Sequence, residues 1–592
     1  MHERGVEETV RAHVVLEEYY RQRAASGDAS ALVEAIYHAN RVEPERGVEE
    51  WASALTDALH YGQYGMCVAL LTLRADLSID TAYGRAQVAQ AEGDYYKKVT
   101  RYSEAEQAYQ ETINAAGEVL MGSASDNDDI EGALILKAAA LGLLAEVDDV
   151  QARFQPADLH YREALALHAD IVHRFPASSI ALHNRATLLQ SFGQLQARLS
   201  EHVAAAISFR HAAADYNKVL ALNPDHTEAY NNRGSALLGL AMLQATLARH
   251  AKAISTCKRA ITTLDAGIRR SPDRYALYLN KGGVLQQLAE IQEVLGEDSV
   301  AVDTYELAIA TLDEALRRTG DDSDIYNNKG IALSRLGRLH LRFGRFEQSV
   351  AANHRAVAQF DAAMERAPGH IRASSNKGLA LALLAQAQAG LLDDQTAIDT
   401  YSQAVSCFDA ALAHAAHDID MLVGKGGAMS GLGEIYHQRA LRQEMGQGVV
   451  DRRAALDHYA EALNVFEAVL QSSSNNISAR FHQGRTLLLR AQLYEAIGDD
   501  ERAIKGYKAA ADSYDAVVKR AADMIDALKE KGYALLSLAK VQRTHAQRVD
   551  ALTSAIVASS TFAQALAATQ EDERLHAAYA ETQILLNKLS GR

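Results

Sequence analysis

Residues Asp324 to Gly369 read DIYNNKGIALSRLGRLHLRFGRFEQSVAANHRAVAQFDAAMERAPG. Apolar and small residues recur there at intervals of three and four, the period of an α-helix. Gly344 interrupts the pattern midway and Pro368 closes it. The stretch therefore predicts two helices of about 20 residues, each about 30 Å long at the α-helical rise. The short turn between them requires an antiparallel pair.

The same unit recurs along the chain. Pro176, Pro224, Pro272 and Pro368 fall on a 48-residue grid, with Gly320 at the step that lacks proline. A small residue keeps the same interval at Ala86, Ala138, Ala186, Gly234, Gly282, Gly330, Gly378, Gly426, Gly484, Gly532 and Ala580. Two longer steps mark insertions at Met121 to Asp129 and Leu441 to Asp451, both expected to be surface loops. Within the second helix of each unit an alanine falls 19 residues past the grid, as at Ala205, Ala253, Ala301 and Ala397. A ring often follows four residues later, as at Phe209, Tyr305, Tyr401 and Tyr507. These positions share one helical stripe, which predicts close helix packing beside a filling ring. Residues 1 to 75 lie off the grid and carry three helical patterns, VEETVRAHVVLEEYYRQR, DASALVEAIYHANRV and VEEWASALTDAL. Residues 76 to 572 make ten hairpins, and 573 to 592 a lone capping helix.

Segments such as EAYNNRGSALLGLA (Glu228 to Ala241), DIYNNKGIALSRLG (Asp324 to Gly337) and AIDTYSQAVSCFDAAL (Ala397 to Leu412) resemble the tetratricopeptide repeat. The resemblance implies an all-α, right-handed solenoid of ten hairpins whose concave groove holds an extended peptide. The unit departs from the family in length, because the familiar repeat has about 34 residues. Each helix here is longer by about seven residues, close to two turns, so an inward face stays inward. The piece ALVEAIYHANRVEPERGVEEWASAL near the N-terminus resembles helical segments that precede repeat arrays in bacterial STAND-type signalling ATPases.

Composition narrows the functional classes. Of 592 residues, 48% are apolar and 23% charged, with six prolines, which suits a helix-rich folded chain. The formal net charge of −16 works against binding nucleic acid or an anionic membrane. Cys67, Cys257 and Cys407 are scattered and read as small buried side chains in a reducing, cytoplasmic setting. The N-terminal MHERGVEETV has no apolar signal core, and the most apolar run, ALILKAAALGLLAEV, is too short to span a bilayer. No phosphate-binding loop, HExxH or GxSxG motif occurs. His414 and His417 could share a helix face, but no further ligand completes a metal site. Neither an enzyme nor a cofactor is expected.

Two sets of residues stand out at the start of the first helices. Asn184, Asn232, Asn280, Asn328 and Asn376 recur in register. In the family resembled, an asparagine at that place faces the groove and bonds the ligand's backbone. The alternative is that the amides tie helix ends together. The following cation stands 16 residues after an acid in the pairs Asp265 and Lys281, Asp313 and Lys329, Asp361 and Lys377, Asp409 and Lys425, and Asp515 and Lys531. These predict a ladder of ion pairs between successive hairpins. Arg233 has Asn217 at that place instead. Two functions follow as expectations. One is a scaffold that holds a peptide or protein segment, with self-association also allowed. The other is a sensor arm working with a separate signalling ATPase or effector.

Overall fold

The computed structural model describes residues 2–122, 127–319, 322–442, 447–521, 524–545, 547–569 and 572–590. Gly320 lies outside them. Among the described residues there are 25 α-helices, one short 3-10 turn and no strand. The chain forms two compact units, Met1–Ile291 and Gln292–Arg592. From Ala82–Lys98 and Tyr102–Met121 onward, helices follow as ten consecutive pairs, ending at Ile525–Thr544 with Arg548–Ala568. A single helix, Glu573–Ser590, packs against the last pair. The architecture is an all-α solenoid of stacked hairpins.

The sixth hairpin pairs Ser323–Arg342 with Phe346–Arg366, of 20 and 21 residues. Its turn closes at Gly344, whose φ of 66° is left-handed, and Arg345 N bonds His340 O across it at 3.0 Å. The equivalent residue is left-handed even where it is not glycine, at Thr100, Ala152, Ser200, Ala248 and Leu392. The packing of the two helices therefore imposes the turn, at a cost of about 1–2 kcal/mol for such residues. At the start of the ninth hairpin's first helix, Asn476 Oδ1 accepts from Ala479 N at 2.7 Å and caps it.

The small grid residue and a ring on the paired helix interlock. A Cβ on Gly330 would lie 2.6 Å from the Phe360 ring, and one on Gly426 would lie 2.7 Å from that of Phe466. Gly378 meets Phe408 in the same way, at 2.9 Å. These phenylalanines are fully buried, each stabilising by roughly 1.5–3 kcal/mol. The stripe of Ala205, Ala253, Ala301 and Ala397 is also fully buried, and the Tyr305 hydroxyl donates to Glu293 at 2.6 Å.

Within each unit, a second helix packs on its own first helix and on the next one. First helices also pack against one another from hairpin to hairpin, whereas among the described residues second helices do not pack closely on one another. The first helices thus form the inner row of each unit.

Three sequence expectations need correction. The insertions are not simply loops. Residues 127–129 begin the helix Asn127–Val150, Arg442 ends Ile419–Arg442, and 447–451 open Gln447–Ser472. Asp451 is buried there, held by Arg439 at 2.7 Å, so the inserted residues extend the helices. Residues 123–126 and 443–446 lie outside those described. The off-grid N-terminal region holds four α-helices where three patterns were read. The additional one, Tyr64–Leu73, is short and lacks an amphipathic period, and it packs on its neighbours through Cys67, Leu70 and Leu73. Cys407 is half-buried where a buried side chain was expected. By length and composition the helix Arg548–Ala568 could cross a membrane. In the fold it is the second helix of the tenth hairpin, burying Ala551, Ala555, Ala558 and Phe562 against its neighbours.

Candidate functional site

The inner row of the second unit is hollowed by a cavity of about 610 Å³. Four first helices line it: Ser323–Arg342, Ile371–Gly390, Ile419–Arg442 and Ile477–Ala496. Each contributes the residue just after its grid position, Ile331, Leu379, Gly427 and Arg485. One turn on, Arg335, Leu383 and Gly431 continue the lining. Phe360 and Tyr401 reach it from the second helices.

Gly427 is the informative residue. Glycine inside a helix costs about 1 kcal/mol relative to alanine. At Gly426 the cost is explained by the Phe466 ring. A Cβ on Gly427 would meet nothing within 4 Å, so no packing demands glycine there. Its missing side chain instead widens the cavity.

Polar groups rim this apolar floor. Arg485 Nη2 donates to Glu434 Oε2 at 3.0 Å. Burial alone would lower the Arg485 pKa, but Glu434 and the other acidic groups around it outweigh that and hold it raised. His482 stacks on Phe466 with ring centroids 6.1 Å apart. Burial, helped by the charge of Arg485, pushes its pKa down to about 4, so the ring is neutral at neutral pH. Burial also raises the Tyr401 hydroxyl, which stays protonated. The site thus offers an apolar floor, one fixed ion pair, and donors and acceptors at its edge. Nothing in it resembles a nucleophile with its base. Among the described residues, no group of three or more His, Cys, Asp or Glu side chains is placed to hold a metal ion.

Of the five grid asparagines, Asn376 lines this cavity. All five are half-buried on their first helices. Asn376 Nδ2 donates to Asn327 Oδ1 at 3.0 Å, and Asn280 Nδ2 donates to Asn231 Oδ1 at 2.8 Å. At these places the amide bridges successive first helices. The acceptors Asn231 and Asn327 are the leading members of the doublets Asn231-Asn232 and Asn327-Asn328, a signal the sequence carries. Asn231 Nδ2 also lies 3.4 Å from Asn232 Oδ1.

The acid–lysine pairs stand at contact distance. Lys281 Nζ is 2.7 Å from Asp265 Oδ1, and Lys329 is 2.6 Å from Asp313. Lys377 with Asp361, Lys425 with Asp409, and Lys531 with Asp515 are each at 2.6 Å. All the aspartates remain partly exposed, so each pair is worth about 0–1 kcal/mol. Lys519 shares Asp515, and these hydrogen bonds hold its carboxyl below the usual range. In the third hairpin, Arg185 turns the other way and pairs with Asp215 on its own second helix at 2.7 Å.

The stacked hairpins, the left-handed turn and the interlocked small and aromatic positions fix the architecture. The array is tetratricopeptide-like. No family model matches the chain, and no curated protein matches it. Among solved structures it is similar to yeast Tom70, at 14% identity over 90% of this chain and 96% of that one, with a TM-score of 0.34. It is also similar to the STAND protein PH0952 of Pyrococcus horikoshii, which has a tetratricopeptide repeat sensor. There the identity is 13% over 71% of this chain and 54% of that one, with a TM-score of 0.39. A third similar structure is a monomeric mutant of IFIT1 with m7Gppp-AAAA, at 12% identity over 84% and 94% of the two chains, with a TM-score of 0.30. Each is a likeness of helical-hairpin construction and nothing more.

Proposed function

We propose that the chain is a non-enzymatic interaction scaffold that holds an extended segment of a partner protein along the inner row of the second unit. The observation that carries this reading is Gly427, a helix-interior glycine that serves no packing contact and lies in the wall of the cavity. Ile331, Leu379, Leu383 and Val423 form an apolar floor suited to one or two side chains of the segment. Asn376 spends one amide N–H on Asn327, and its carbonyl oxygen would accept from a passing peptide N–H. Arg335, Arg338, Asp420 and Glu434 at the rim would select the flanking charges.

The test is selection from a random peptide library on the full chain, alongside Gly427→Leu and Asn376→Ala. Gly427→Leu fills the cavity with a good helix former, so the fold should survive while selected peptides lose at least tenfold in affinity. Equal binding by both variants, or no peptide enriched by the wild-type chain, would overturn the proposal. Recovery of a signalling ATPase as a groove-dependent partner would turn the scaffold into a sensor arm.

A further inference from the structure

The ion-pair register leaves a cation without its acid in the fourth hairpin, formed by Thr227–Thr246 and His250–Arg270. Arg233 stands at the cation position there. Lys281 and Lys329 find their acid 16 residues earlier, where Arg233 has Asn217. Arg185 finds its acid 30 residues later, where Arg233 has Thr263. Both acid positions are neutral, and among the described residues Arg233 has no ion pair. Its Nε is buried without a hydrogen-bond partner.

Arg233 lines a shallow, open hollow of about 680 Å³ along the second helix, with Tyr230, Ile254, Lys258, Arg259 and Thr263. This cavity shares no residue with the groove described above. No carboxylate among the described residues pairs with Lys258 or Arg259 either. Burial lowers the Arg233 pKa, and the charge of Arg259 lowers it further. Three cations therefore face one hollow without compensation, in a chain that has 76 acidic side chains to 60 basic ones.

Apart from Ser255, the neutral polar side chains around the hollow are already committed. Thr263 Oγ1 donates to Arg259 O at 2.9 Å, Thr262 Oγ1 to Lys258 O at 2.9 Å, and the Tyr230 hydroxyl to Pro224 O at 3.1 Å. The donors left over are mostly cationic N–H groups. A ligand must then be rich in acceptors and negative. Three positive charges balance a dianion better than a carboxylate, and the volume suits a small molecule.

We propose that Arg233, Lys258 and Arg259 form a binding site for a small phosphate-bearing ligand, either inorganic phosphate or a phosphate monoester. Arg233, half-buried with its Nε enclosed, supplies the anchor, and Lys258 and Arg259 meet the anion from the exposed side. Tyr230 and Ile254 offer apolar surface to an organic group attached to the phosphate.

Isothermal titration of the full chain at low ionic strength tests this, with inorganic phosphate in one arm and adenosine monophosphate in the other. Both should bind, more weakly as salt is raised. Tighter binding of the ester identifies an esterified ligand, and equal binding identifies free phosphate. Arg233→Gln should weaken binding at least tenfold. Thr263→Asp should do the same, because it installs the carboxylate that Asp215 gives to Arg185, while the melting temperature is held. Should either buried substitution unfold the hairpin, the exposed Lys258→Gln and Arg259→Gln decide, with about a threefold to tenfold loss expected from each. Absence of binding by the wild-type chain, or unchanged binding in folded variants, overturns the site.

Discussion

Gly426 and Gly427 are neighbours on one helix and face different surroundings, about 100° apart around its axis. Toward the paired helix, the missing Cβ of Gly426 is occupied by the Phe466 ring. Toward the groove, the missing Cβ of Gly427 leaves open space. Their equivalents in other hairpins behave differently as well. The first position is small in every unit, as at Gly330, Gly378, Gly484 and Gly532. The second is Ile331, Leu379, Arg485 and Tyr533. Packing within each hairpin dictates the first position and leaves the second to vary, so variation along the array marks the surface that is free to recognise something.

The largest effect should come from removing the ring behind the packed face. Phe466→Ala should cost about 3–5 kcal/mol in equilibrium denaturation, because the buried ring leaves a cavity. Acid should separate the faces next. His482 on the far side of that ring, and His168, each have a pKa of about 4 in place of 6.5. A histidine with a depressed folded pKa takes up its proton only on unfolding. Its contribution is complete above pH 6.5 and is lost as the pH falls toward 4. Denaturation midpoints measured across that range should fall, and His482→Gln should flatten the fall. The two glycines come third. Gly426→Val should cost about 1–3 kcal/mol by overpacking, whereas Gly427→Ala should gain up to about 1 kcal/mol from helix propensity. If both substitutions move stability in the same direction, the distinction between the faces fails. The smallest effect belongs to the ladder. A double-mutant cycle on Asp313→Ala and Lys329→Ala should give a coupling of about 0.2–1 kcal/mol.

The repeat, its hairpins, the turn position and the acid–lysine spacing could all be read from the sequence, because each recurs at one interval and repetition amplifies weak local signals. The ring that meets the grid residue could not be singled out. Phe360, Phe408 and Phe466 lie seven residues beyond the ring position that was followed. Seven residues are close to two helical turns, so both positions fall on one stripe and periodicity cannot separate their contacts. The cavity was hidden for a different reason. Gly424, Gly426, Gly427 and Gly431 look alike in a sequence, and only their surroundings distinguish a glycine that admits a ring from one that leaves a void. The solitary Arg233 was half visible, through Asn217, but Thr263 became meaningful only once Arg185 was seen to reach Asp215.

The absence of packing between neighbouring second helices gives each unit a mechanical bias. Curling the wall more tightly spreads only the outer row, where no helix pair has to separate. Straightening it pulls apart the inner row, where neighbouring first helices pack together. Each unit should therefore yield to closing around an object more readily than to being pried flat.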